Sequence, residues 1–248
     1  MKIVFVYFDS MRGAGGKYYE GLASISAVLK QGHSTRLFHI TDNLTGPQFL
    51  EIFQNQYADT DLVAFSSTTN AFYYIATYAQ QIKKHYPQMI TICGGVHPTL
   101  HPDEVISEPG IDIICLGEGE YPLLDLCDRL ESGSDISSIP NLWIKKNSVN
   151  IIKNPVRSLI ESLDLLPFPD RDIFDYQSSM DSKLHRLVFM GSRGCPFQCA
   201  HCCNHALKKI APRSTPYVRF KSPDRLIAEI KDCRAKYPDV QTICFHDD

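Results

Sequence analysis

No stretch of the sequence stays apolar for the ~20 residues that span a bilayer, which excludes a membrane-spanning helix. Charge of one sign is also scarce. The 25 Lys and Arg stand against 28 Asp and Glu, a formal net charge of -3, and no long basic run supplies the footprint that nucleic acid requires. A secretory signal is missing, since the apolar start Ile3–Phe8 is too short for a signal core and runs directly into Asp9. Neither a Gly-x-Gly-x-x-Gly nor a Walker lysine motif follows that start, which argues against nucleotide folds of those types. The nine cysteines are odd in number, with six of them from Cys195 onward. They make no disulfide framework and fit a reducing cytoplasm. What is present is 44% hydrophobic content over 248 residues, enough for one large or two ordinary domains with real cores.

Hydrophobic patterning sets the order of elements. Strands are expected at Ile3–Phe8, Thr35–Ile40, Leu62–Ser66, Met89–Cys93 and Asp112–Leu116. Helices are expected at Gly21–Lys30 with Gly32 as C-cap, Gln48–Tyr57, Ala71–Tyr86 and Tyr121–Leu130. This alternation predicts an α/β fold, a doubly wound, Rossmann-like parallel sheet with helices on both faces. Ligands of such folds sit outside the carboxyl ends of the strands, which singles out the loops Asp9–Gly16, Ser66–Asn70, Gly94–Thr99 and Gly117–Glu120. Glycine placement alone is explained equally well by tight strand-to-helix turns. A hairpin over Asn141–Ile152 is expected to cap this first domain, residues 1–152. Pro155, Pro167 and Pro169 mark a linker at 153–180, with Leu163–Asp170 read as a strap packed on a surface. Residues 181–248 begin a second domain, with strands at Leu187–Met190 and Thr242–Phe245 and a helix over Asp224–Lys236 capped by Ser222.

The most informative stretch is Gly191–Ala206, which brings Cys195, Cys199 and Cys202 within eight residues on a loop bracketed by Gly194 and Pro196. Thiolates are the ligands that iron-sulfur clusters and zinc select. A four-iron cluster on three cysteines leaves one iron open, whereas structural zinc needs a fourth ligand. Cys203, His205 or His201 would supply it, so both metals stay open on spacing alone. His97 and His101 are read as loop or surface residues, and Cys233 and Cys244 as core thiols.

The motif Cys195-x-x-x-Cys199-x-x-Cys202, preceded by Gly-Ser-Arg-Gly and with His201 before the last cysteine, resembles the signature of radical S-adenosylmethionine (radical SAM) enzymes. The resemblance implies a [4Fe-4S] cluster on the three cysteines, with S-adenosylmethionine chelated at the open iron and cleaved reductively to methionine and a 5′-deoxyadenosyl radical. It also implies that Phe197 and His201 shape the loop and the adenine side, and that a flavodoxin or ferredoxin donates the electron. A second resemblance covers the first domain. Gly21-Leu22-Ala23, Gly94-Gly95-Val96-His97-Pro98 and Gly117-Glu118-Gly119-Glu120, in that order ahead of the cysteine loop, are similar to the cobalamin-binding domain of cobalamin-dependent radical SAM enzymes. This implies cobalamin contacts at Ser67, Thr68, Gly94, Gly95, Gly117, Glu118 and Gly119. The axial-histidine motif of other cobalamin domains is replaced here by Asp9-Ser10-Met11-Arg12-Gly13-Ala14, which implies cobalamin without a histidine ligand or a domain that binds no corrin.

The family's partial barrel takes about six strand-helix units by analogy with the eight-unit barrel, and only two are expected here. The chain is therefore expected to be a fragment or an interrupted gene, with the radical SAM barrel truncated, and Asp247-Asp248 falling where relatives begin to contact S-adenosylmethionine or substrate. The functions considered are cobalamin-dependent methyl transfer to an unactivated carbon or phosphorus of a small-molecule or natural-product substrate, cyclisation or rearrangement on the same apparatus, a non-catalytic corrin-binding module with a vestigial metal loop, and a zinc-stabilised protein.

Overall fold

The computed structural model describes residues 1–9, 16–147 and 149–247. Most of the Asp9–Gly16 loop, Ser148 in the hairpin turn and Asp248 lie outside the described residues. The elements are β1 (Lys2–Phe8), α1 (Glu20–Leu29), β2 (Ser34–Ile40), α2 (Gly46–Gln56), β3 (Leu62–Ser66), α3 (Phe72–His85), β4 (Ile90–Gly94), α4 (Val96–Leu100), α5 (Pro102–Ser107), β5 (Ile113–Cys115), α6 (Glu120–Ser132), β6 (Leu142–Lys145) and β7 (Ile151–Lys153). There follow α7 (Met180–Lys183), β8 (Arg186–Phe189), β9 (Ser192–Arg193), α8 (Asn204–Ile210), β10 (Arg219–Phe220), α9 (Pro223–Lys236) and β11 (Thr242–Phe245).

Seven strands form one sheet in the order β2-β1-β3-β4-β5-β6-β7, parallel from β2 to β5 and antiparallel through β6 and β7. The expected doubly wound sheet is present. Alternate residues of β1 serve its two faces. Ile3 and Phe5 pack with Leu22, Ala23, Leu123 and Leu126 from α1 and α6, whereas Val4, Val6 and Phe8 pack with Phe49, Phe53, Tyr78 and Ile82 from α2 and α3. Helices on both faces explain why the central strands are continuously apolar.

Local chemistry sets the ends. Thr45 and Gln48 form a capping box at the start of α2. Gly133, in the left-handed region at φ 68°, stops α6. α1 ends at Leu29 with Lys30 as cap, so Gly32 falls beyond the helix. The expected hairpin is present, with β6 and β7 paired antiparallel, and it joins the sheet, extending it past β5. Its second arm starts at Ile151 because Val149 and Asn150 turn back onto the Asn147 side chain.

The strap after β7 is packed down, with Ile160, Leu163 and Leu166 buried against Val28, Tyr121 and Leu124. Asp170 fixes its far end, its N–H donating to Ala23 O at 2.9 Å and its carboxylate pairing with Lys30 at 2.7 Å. β8 then pairs parallel with β11 over Leu187, Phe189, Cys233 and Val240. Ser222 caps α9 by accepting from Arg225 N–H at 3.2 Å. Cys233 is the buried thiol expected, pushed up to about 11 by burial, while Cys244 is half-buried on β11.

Candidate functional site

The carboxyl ends of β3, β4 and β5 open into a cavity of ≈ 480 Å³, within the range of sites that enclose sizeable organic ligands. Its floor is apolar, from Phe5, Ala64, Ile92 and Cys115, and its sides come from α1 and from the glycine loops after the strands. Burial pushes the Cys115 thiol up to about 12, with Glu120 adding to the effect. That thiol is wall, not nucleophile.

Of the expected contacts, Thr68, Gly94, Gly95, Gly117, Glu118 and Gly119 line this one cavity. Ser67 sits behind the wall. It is buried, its hydroxyl donates to Thr68 O at 3.0 Å, and its carbonyl accepts from His97 N–H at 3.1 Å. Gly95 is held at φ 103°, and a Cβ there would lie 2.7 Å from Ser67 O. Only glycine permits that approach. The loop from β4 continues into α4, which tight-turn reasoning had not resolved. His97 is thereby buried, against the surface reading, with its ring 4.3 Å from Phe72. Burial lowers its pKa, and His97 does not line the cavity.

The roof comes from the chain after β8. Ser192, Arg193, Cys203, Asn204, Leu207, Tyr217 and Lys221 close over the glycine loops, so the strand that leads into the cysteine loop faces the strands that carry the glycines. Two sets of charges join this roof to the glycine loops and to α1. In one, Arg193 pairs with Glu118 at 3.0 Å and with Glu120 at 2.5 Å, and Arg219 pairs with Glu118 at 2.8 Å. In the other, Lys221 bridges Glu20 at 3.0 Å and Glu229 at 2.8 Å, beside Arg171, which donates to Val188 O at 2.7 Å and lies over the rings of Tyr18 and Phe189. Burial opposes ionisation of Glu120, but Arg193 and the hydroxyl of Ser24, which donates at 2.7 Å, hold its carboxyl below the usual carboxylate range.

Sequence reasoning missed these ion pairs. Glu120 and Arg193 stood inside quoted motifs, but nothing in their spacing paired residues 73 positions apart. Asn141 was missed as well. Buried and at φ 73°, it donates to Leu116 O at 2.6 Å and accepts from Arg157 N–H at 2.9 Å, tying the end of β5 to the strap.

The cysteine loop lies at the rim. Cys195 and Cys202 are half-buried and Cys199 is exposed, and none of the three is in a disulfide. Phe197 is 69% exposed and His201 is exposed. Gly194, at φ 83°, admits Tyr217 O so closely that a Cβ would lie 2.2 Å from it. Asp247 accepts from Ser192 N–H at 2.6 Å and from its hydroxyl at 2.7 Å, which buttresses the strand before the loop. The donor types suit a thiolate-held cluster. Among the described residues, however, no three His, Cys, Asp or Glu side chains are gathered as a metal-binding group. The cavity, by contrast, is preformed. Its apolar floor and glycine rim suit an organic ligand that backbone approaches closely, and no histidine is among its described lining residues. No helix among the described residues is long and apolar enough to cross a membrane.

Residues 19–126 match the B12 binding domain family. The chain is similar to an uncharacterised methyltransferase of Pyrococcus horikoshii, 30% identical over 73% of this chain and 39% of that protein. It is also similar to an anaerobic magnesium-protoporphyrin IX monomethyl ester cyclase of Rubrivivax gelatinosus, 26% identical over 93% of this chain and 42% of that one. The solved structure of OxsB, a cobalamin-dependent S-adenosylmethionine radical enzyme with aqua-cobalamin and S-adenosylmethionine bound, superposes with a TM-score of 0.77 at 19% identity, over 100% of this chain and 34% of that one. The chain thus spans less than half the length of each.

Proposed function

We propose, for a chain whose residues 19–126 are a B12-binding domain and whose fold is that of the cobalamin-dependent radical SAM enzymes, that it holds cobalamin and a [4Fe-4S] cluster side by side for S-adenosylmethionine-dependent radical chemistry. The observation that carries this reading is the shared cavity, whose wall is the glycine loops of the B12-binding domain and whose roof is the segment flanking the cysteine loop. Thr68, Gly94, Gly95, Gly117 and Gly119 would hold the corrin through backbone that approaches closely because side chains are small or absent. Cys195, Cys199 and Cys202 would hold three irons, with Phe197 and His201 ordering around S-adenosylmethionine. When bound, the cluster supplies one electron to the sulfonium and cobalamin supplies a methyl group; the protein positions both and excludes water. Methyl transfer to an unactivated carbon or phosphorus of a small molecule is the favoured outcome, in line with the methyltransferase relative. The cyclase relative supports ring closure as the second reading.

The test is anaerobic reconstitution with iron and sulfide, then hydroxocobalamin, of this protein and of the Cys195→Ala, Cys199→Ala, Cys202→Ala variant. About four irons per chain in the parent alone, a reduced-state electron paramagnetic resonance signal altered by S-adenosylmethionine, and retained corrin absorbance in both proteins are expected. Corrin without iron reduces the protein to a corrin-binding module. One zinc in place of iron makes the loop structural.

A further inference from the structure

Residues 194–218, which include the three signature cysteines, leave and return through a ribbon of two short strands. β9 and β10 pair antiparallel, and their register sets Arg219 directly opposite Arg193. Like charges opposed across an antiparallel pair are destabilising, and these two are poorly hydrated, with side chains 21% and 6% exposed. Besides its own pairing the ribbon is held by Asp247 on Ser192 and by the Lys221 N–H, which donates to Gly191 O at 2.7 Å, and none of these offsets the opposed charges. It is two residues long on each side, and Phe220 is 71% exposed.

One group stands between the two guanidiniums. Oε1 of Glu118 lies 3.0 Å from Nη1 of Arg193 and 2.8 Å from Nη1 of Arg219. Its other oxygen, Oε2, accepts the Ile160 N–H at 2.8 Å, and Ile160 O in turn accepts from Arg219 Nη1 at 2.8 Å. Glu120 takes the remaining side of Arg193. Two arginines and two glutamates make a charge-balanced set, but only Glu118 touches both arginines, and it comes from the opposite domain, between Gly117 and Gly119 of the cavity wall.

We propose that Glu118 is a positioning residue that closes the base of the cysteine loop by cancelling the repulsion between Arg193 and Arg219. The proposal rests on the reading that this loop holds the cluster. In it, the side chain of Glu118 serves the loop while the backbone on either side serves the cavity. Wall and loop are then one unit, and the loop keeps its entry and exit together only while docked on the B12-binding domain.

The test uses metal-free, reduced protein and reads the rate at which iodoacetamide alkylates half-buried Cys195 and Cys202, resolved by peptide mass spectrometry, with exposed Cys199 as the reference for an unprotected loop thiol and buried Cys127 as the internal gauge of global unfolding. Glu118→Gln is expected to raise the Cys195 and Cys202 rates about tenfold, the change that follows loss of one charge-assisted hydrogen bond of ordinary strength, with Cys127 unchanged. Glu118→Asp, which keeps the charge, is expected to lie between Gln and parent. The Glu118→Gln, Arg219→Met double variant, which lacks the opposed charges, is expected to return toward the parental rate. A loop merely packed by Glu118 would not be rescued by deleting a second partner. Parental rates in Glu118→Gln overturn the proposal. So does a double variant as fast as the single one, including the case in which Glu118→Gln exposes Cys127 and Arg219→Met fails to restore it. Because no metal is present, the result stands apart from iron uptake, and a parent that takes no iron sinks the cluster reading alone.

Discussion

Glu118 and Glu120 are adjacent members of one Gly-Glu-Gly-Glu run, yet their surroundings divide their work. Glu120 is buried among Ser24 and Arg193, and its native pKa lies below the ordinary 4.5. A depressed carboxyl contributes stability that is complete above its unfolded value and is lost as pH falls through its native one. Urea unfolding followed from about pH 6 to about pH 3 should therefore show a stability loss in the parent that is smaller in Glu120→Gln. Equal losses in the two proteins would mean that this ion pair is not coupled to folding. The same scale explains Ser67. It lies in the Ser66–Asn70 loop, but its hydroxyl is satisfied by Thr68 O, leaving Ser66 and Thr68 to face the cavity. Which residue of a turn faces a ligand depends on backbone angles that residue type does not report.

At the scale of elements, helix and strand positions followed from periodicity, caps and glycines, with ends displaced by a few residues. The capping box of α2 is local and should behave so. Thr45→Ala should lower stability by about 1 kcal/mol in denaturant unfolding without altering corrin binding. The β9–β10 ribbon is the opposite case. Four residues with no apolar pattern gave no strand signal, because their pairing is imposed by Glu118 across the domain boundary and by Gly194, whose missing Cβ admits Tyr217 O. Gly194→Ala would require the ribbon to part, and if the loop holds the cluster, reconstitution should leave this variant with less than half the parental iron. Parental iron content would show that the loop does not need this approach.

At the scale of the whole molecule the cavity is enclosed between the glycine loops of the sheet and the segments after β8, and neither side encloses it alone. If cobalamin fills that cavity only in the folded state, mass action stabilises the protein. Hydroxocobalamin at 100 times its dissociation constant should add about 2.7 kcal/mol, visible as a melting temperature several degrees higher. No shift at saturating absorbance would place the corrin outside the folded core. The dependence on both sides also explains why the ion pairs matter: Arg193, Arg219 and Lys221 on one side meet Glu118, Glu120 and Glu20 on the other, and desolvated charges with partners missing are costly.

The sequence by itself determined the doubly wound sheet, the place of the glycine loops at its carboxyl edge, and the spacing of the three cysteines, because period-two and period-3.6 patterns and short-range spacing are local features. Tertiary structure alone decided that β6 and β7 extend the sheet, that His97 is buried, that Ser67 turns away from the cavity, and that the glycine loops and the flanks of the cysteine loop share one cavity. Those outcomes depend on which faces meet across long sequence separations. The contact of Glu118 with both Arg193 and Arg219 exists only once the β9–β10 ribbon meets the loop after β5, since charge pairing acts through distance in space and leaves no periodic trace in the chain.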